Sequence, residues 1–148
     1  MIRPEMAKRI AHLKELARQQ SQQHLVQAID HKQQEDHRLQ EMLRFQLQQE
    51  KMLEQFLEGA SPLPAGFWSQ WDLYQQRMKE QIHFQRQKVE QAAHRMEEKR
   101  QEVISRSVDE KMWFKLNQMI LLKQLAEAQR RAQKELDELA SHRHAYRS

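Results

Sequence analysis

Apolar residues along this chain recur at steps of three and four, the spacing that gathers them on one face of an α-helix. Met78, Ile82, Gln85, Val89, Ala92 and Met96 step by 4, 3, 4, 3 and 4. Leu122, Leu125, Gln129, Ala132, Leu136, Leu139, Arg143 and Tyr146 repeat the alternation. Between the two series, the passage from Met96 through Ile104 to Val108 shifts phase by about one residue, as a stutter does. Nearer the start, Met6, Ile10, Leu13 and Ala17 step by 4, 3 and 4, and Leu25 and Ile29 follow. A polar stretch from Asp30 to Arg38 interrupts, after which Leu39, Met42, Leu43, Phe45, Met52, Leu53, Phe56 and Leu57 resume a wider stripe. The wandering phase argues against a long, regular parallel dimer.

The helix breakers sit in two places. Pro4 falls where a first-turn proline is tolerated. Gly59, Pro62, Pro64 and Gly66 fall together. The pattern predicts an all-α protein: a helix over about residues 4–57, a turn over 58–68 and a longer helix over about 69–146. The two pair as an antiparallel coiled-coil hairpin, a single domain over residues 1–148. Gly59 is placed to close the first helix in a left-handed conformation. Ser69-Gln70-Trp71-Asp72 has capping-box form, with Trp68 and Leu73 at the staple positions, and Pro64 offers an alternative, earlier start. Folding at the turn sets Leu53 near Leu73 and Tyr74, Met42 and Phe45 near Ile82, Ile29 near Met96, and Met6 and Ile10 against the block Met112 to Leu122.

At about 1.5 Å per residue the first helix measures about 80 Å and the second about 115 Å. From about Lys123 onward the second helix therefore has no partner in its own chain, yet Leu125, Ala132, Leu136, Leu139 and Tyr146 continue an apolar stripe. An uncovered apolar face suggests a partner in trans. The plainer reading is a solvated overhang supported by the i,i+4 pairs Glu127–Arg131 and Lys134–Glu138.

Composition agrees with helix. The chain has 148 residues with 31% charged and 39% hydrophobic, two Gly, 24 Gln and no Thr, so strands have little to be built from. A mean hydropathy of −1.03 is too low for a thick core but suits a narrow two-helix seam. The formal charge of +4 fits a soluble protein drawn to acidic partners or an anionic membrane face. With no Cys there is neither a disulfide framework nor a Cys-based zinc site. The opening Met1-Ile2-Arg3-Pro4-Glu5 lacks the apolar core of a secretory signal. The apolar run Met119 to Leu122 is far too short to cross a bilayer.

The chemistry of the chain points to binding rather than catalysis. No phosphate-cradling Gly-rich loop and no nucleophile elbow is present, and carboxylates on a two-helix seam mostly face water. The chain reads as neither an enzyme nor a cofactor binder. Of the eight His, only His83 in Glu80-Gln81-Ile82-His83 has di-iron spacing, and two helices cannot enclose such a site. Lys99-Arg100, Arg130-Arg131 and His142-Arg143-His144 are basic but interleaved with acids, unlike a nucleic-acid stripe. The aromatics around the turn, Phe45 and Phe56 before it and Trp68, Trp71 and Tyr74 after it, exceed what a seam can bury and suit a protein-binding hot spot.

Trp71-Asp72-Leu73-Tyr74-Gln75-Gln76 after the turn, and Gln133-Lys134-Glu135-Leu136-Asp137-Glu138-Leu139-Ala140-Ser141-His142-Arg143 near the end, resemble the FliJ family of flagellar export proteins. More distantly they resemble the YscO-type stalk proteins of virulence secretion. The resemblance covers nearly the whole chain. It implies an antiparallel coiled coil similar to the stalk of rotary ATP synthases, whose paired ends enter the hexameric ring of the export ATPase FliI. It also implies contact with the export gate FlhA, with FliH and with export chaperones, at the cytoplasmic side of the cell membrane and peripheral to it. Transferred to this chain, the ATPase-binding end comprises Met6, Ile10, Leu125, Ala132, Leu136 and Leu139. The gate-binding surface comprises Met42, Phe45, Trp71, Tyr74 and Met78. Gln49 stands where an aromatic is expected there and Arg77 where an apolar residue is. A coiled-coil tether or dimerisation module unrelated to secretion is the alternative.

Overall fold

The computed structural model describes residues 3–59 and 62–147. Their order is α1 (Pro4–Glu58) and α2 (Phe67–Arg147), of 55 and 81 residues. The two helices pack antiparallel, the second longer, and no strand occurs among the described residues. By contacts the chain divides into a unit of residues 22–102 and a unit of residues 1–21 with 103–148.

The connection differs in detail from the sequence expectation. Gly59 does not take the left-handed conformation; Gly66 does, at φ 80°. The Gly66 carbonyl accepts from the Gln70 amide at 3.2 Å, and the Phe67 amide donates to the Pro64 carbonyl at 3.2 Å. These bonds open α2 at Phe67, two residues before the expected start, so Ser69 lies inside the first turn instead of capping it. Trp68 and Leu73 remain about half exposed and close no staple. The first turns of α2 are held instead by an aromatic row. Phe67 stacks on Trp71 with centroids 6.3 Å apart, and Trp71 meets Tyr74 at 5.8 Å.

In the unit of residues 22–102, the covered positions of α1 include Leu25, Ala28, Lys32, Glu35, Leu39, Met42, Gln46, Gln49 and Leu53, an unbroken alternation of three and four, with Ile29, Asp36 and Leu43 half-buried beside them. The stretch Asp30 to Arg38 therefore does not interrupt the seam: Lys32 and Glu35 belong to it. On α2, Met78, Ile82, Gln85 and Ala92 are buried, with Val89 and Met96 half-buried. Residues 54–59 are exposed, so α1 runs on past its last covered position, Leu53. Met42 and Phe45 share a groove with Tyr74 and Met78, with buried Ile82 one turn beyond Met78 on α2, and Leu73 stays outside.

In the unit of residues 1–21 with 103–148, the seam is turned by about one residue from the expected one. Ala7 and Ser21 are buried, with Ile10, Ala11, Lys14, Ala17 and Arg18 half-buried, whereas Met6, Leu13 and Leu16 face outward. On α2 the half-covered residues include Val103, Ser107, Trp113, Asn117 and Ile120, while Ile104, Val108, Met112, Met119 and Leu122 are exposed. Small residues reduce the separation at which two helices can pack. Lys14 and Arg18 lay their alkyl stems over the seam and carry their charges across it. Lys14 Nζ stands 2.7 Å from Asp109 Oδ2, and Arg18 pairs with Glu110. From residue 121 to residue 147 every position is exposed.

Gly66→Ala forces a side chain into the left-handed region and is expected to cost about 1 kcal/mol or more. A Cβ on Gly59 meets nothing nearer than the Phe56 carbonyl at 3.4 Å, so Gly59→Ala is expected to be neutral or stabilising by about 0.5 kcal/mol. Urea midpoints of the two variants check the assignment of the turn.

Candidate functional site

The 22–102 unit holds a groove of about 630 Å³ lined by Arg38, Glu41, Met42 and Phe45 of α1 and Tyr74, Met78, Gln81 and Gln85 of α2. Helical spacing builds it. Met42 and Phe45 are three apart, Tyr74 and Met78 four apart, so each pair shares a face of its helix. Phe45 is 47% exposed, a large amount for an aromatic ring on a packed helix. Four of the five residues expected at the gate surface thus come together. Trp71 does not line the groove but rests against Tyr74 behind it. Gln49, where the resemblance led to expect an aromatic, is half-buried in the seam, and Arg77 is exposed.

At the inner end of the groove lies a polar pair that the sequence pattern did not reveal as one. Gln85 Nε2 donates to Glu35 Oε2 at 2.6 Å and to the Glu35 carbonyl at 2.9 Å. Arg38 Nη1 lies 3.4 Å from the other carboxylate oxygen. Glu35 is only 6% exposed. Its carboxyl is held below the ordinary value of 4.5, chiefly by the Gln85 hydrogen bond, with help from the positive charges of Arg38, His31 and Lys88 and against the opposing effect of burial. The signal was in the sequence: Glu35 continues the three-four ladder from Leu25 to Leu53, and Gln85 falls on the ladder of α2.

The residues expected at the ATPase end all lie in the unit of residues 1–21 with 103–148. Met6 is 54% exposed, Leu125 and Leu136 61% and Leu139 62%. Ala132 is exposed and Ile10 half-buried in the seam. Exposed Ile104, Val108, Met112, Met119 and Leu122 lie on the same helix before Leu125. The side-chain bond Gln133 Nε2 to Asp137 Oδ1, at 3.2 Å, supports the exposed part of α2. Among the described residues no three His, Asp or Glu converge as a metal would require. No helix among them is long and apolar enough to cross a membrane.

A family model described as the flagellar FliJ protein matches residues 8–148, essentially the whole chain. No curated protein and no solved structure matches it.

The Glu35 carboxylate has a lowered folded-state pKa, so its contribution to stability is complete above 4.5 and lost as pH falls through the lowered value. Gln85→Leu removes the donor. Its urea midpoint is expected to fall below that of the parent at neutral pH, with the gap closing as pH drops below the ordinary carboxylate range. A constant gap from about pH 7 to about pH 3 contradicts the assignment.

Proposed function

The chain belongs to the flagellar FliJ family, whose members are components of the flagellar export apparatus, and from that premise we propose a division of labour along it. The uncovered face of α2, with Leu125, Ala132, Leu136 and Leu139, and the start of α1, with Met6 and Ile10, bind the export ATPase FliI as a stalk binds a rotary ring. The groove of Met42, Phe45, Tyr74 and Met78, backed by Trp71, contacts the export gate FlhA. FliH and export chaperones join through the same apparatus, and attachment to the cytoplasmic side of the membrane comes through these partners.

The observation that carries this reading is that every residue from 121 to 147 is exposed while an apolar stripe runs along them. A helix that keeps Leu122, Leu125, Leu136 and Leu139 in water without a partner has more apolar surface than a solvated overhang requires. The groove supports the second contact independently. A half-exposed aromatic beside flexible Met side chains is the composition of an adaptable protein-binding surface. Family membership favours this reading over a tether unrelated to secretion.

Purified chain added to FliI is expected to promote ring formation and to raise ATP hydrolysis. The double variant Leu125→Glu, Leu136→Glu is expected to abolish both while retaining its helical content, since neither side chain packs in the seam. Equal stimulation by variant and parent sinks the ATPase assignment. Phe45→Ala is expected to weaken FlhA binding by about thirtyfold, the loss of an aromatic anchor of about 2 kcal/mol, with FliI stimulation intact. Unchanged FlhA affinity removes the groove from the proposal.

A further inference from the structure

A second cleft in the 22–102 unit, of about 290 Å³, lies between His24, Gln27, Ala28 and His31 of α1 and Arg95 and Lys99 of α2. Its origin is local. Ala28 and Ala92 are buried seam residues with a single methyl each, so the long side chains around them stand as walls about a gap that no core residue fills. Every lining side chain except Ala28 carries a nitrogen donor or a ring nitrogen, and no carboxylate lines the cleft.

Among the acids near the cleft in sequence, Glu35, one helical turn beyond His31, is committed to the Gln85 amide across the seam. Glu102 pairs at 3.4 Å with the cleft's own Lys99, which a bound anion must share or displace. Arg95 enters none of the ion pairs found among the described residues. In the sequence, Lys99-Arg100 is one of several basic pairs interleaved with acids. What the fold adds is that Lys99 and Arg95, four apart on α2, face two histidines seven apart on α1.

We propose that this cleft is an anion site that takes a phosphate group, as inorganic phosphate or as the end of an oligophosphate. A planar carboxylate is satisfied by the fork of one guanidinium. Donors here converge from two helices on opposite sides, which suits a tetrahedral oxyanion with acceptors pointing both ways. Arg95 supplies the fork, Lys99 a point charge, and His24, His31 and Gln27 the hydrogen bonds from the facing wall.

Calorimetric titration of the full chain tests this, with sodium phosphate, pyrophosphate and acetate at fixed pH and ionic strength in a phosphate-free buffer. One saturable site is expected for the phosphate species. Arg95→Gln and, separately, Lys99→Gln are expected to weaken it at least tenfold, and Arg86→Gln, on the same helix outside the cleft, to leave it unchanged. Arg86 and Arg95 are exposed and Lys99 is half-buried, so unchanged helical content by circular dichroism and an unchanged urea midpoint accompany each comparison. Tighter binding of pyrophosphate assigns the site to oligophosphates; equal or tighter binding of phosphate assigns it to the free ion. Absence of saturable binding, equal losses in Arg86→Gln and Arg95→Gln, or acetate binding as tightly as phosphate overturns the proposal.

Discussion

The 22–102 unit depends on one cross-helix contact, the amide of Gln85 held between the carboxylate and the carbonyl of Glu35. A seam made mostly of small and apolar residues is tolerant of sliding, because a shift by one heptad brings like against like. A buried carboxylate is not tolerant of sliding. Away from its donor it is a desolvated charge left with Arg38 and His31 of its own helix, and such a state is disfavoured. The pair therefore contributes less by attraction than by penalising every other register, the role best attested for buried polar residues in coiled coils.

The same choice of seam residues governs the outer surface. Where Ala7, Ser21, Ala28 and Ala92 occupy buried positions, little apolar area is removed from water. The larger side chains are left outside: Leu13, Leu16, Ile104, Val108 and Met112 in one unit, Phe45 and Phe84 in the other. For a monomer that acts alone this is a poor arrangement. For a subunit of an export apparatus it places hydrophobic contact area where partners can reach it, and lets the hairpin form without using that area up.

The fold class was legible from the sequence because two Gly and three Pro fall in only two places and the three-four alternation runs through most of the rest. The face each helix buries was less legible. Hydrophobicity alone placed Met6 and Leu13 in the seam, whereas Ala7, Ala11 and Lys14 hold it. The periodicity was right and its phase was off by one residue, because close packing favours small side chains over apolar ones. The register was more legible: Lys14 and Arg18 pair with Asp109 and Glu110, within a few residues of the positions that folding at the turn sets opposite them. Met42, Phe45, Tyr74 and Met78 were named together from family resemblance rather than from the register, and the structure brings all four to one groove. The His24–Arg95 cleft escaped notice because its residues are separated in sequence and individually unremarkable.

Gln85 and Arg38 stand in both arrangements: they line the groove, and they satisfy Glu35. The floor of the proposed gate surface is thus built from the atoms that set the register of the two helices. A ligand pressing Met78 and Tyr74 against Met42 works on a surface whose inner edge cannot move without stripping a buried carboxylate of its donor. That constraint keeps an otherwise pliable, Met-lined groove in one shape, and it explains how a two-helix seam with so little buried apolar area can still present a defined surface.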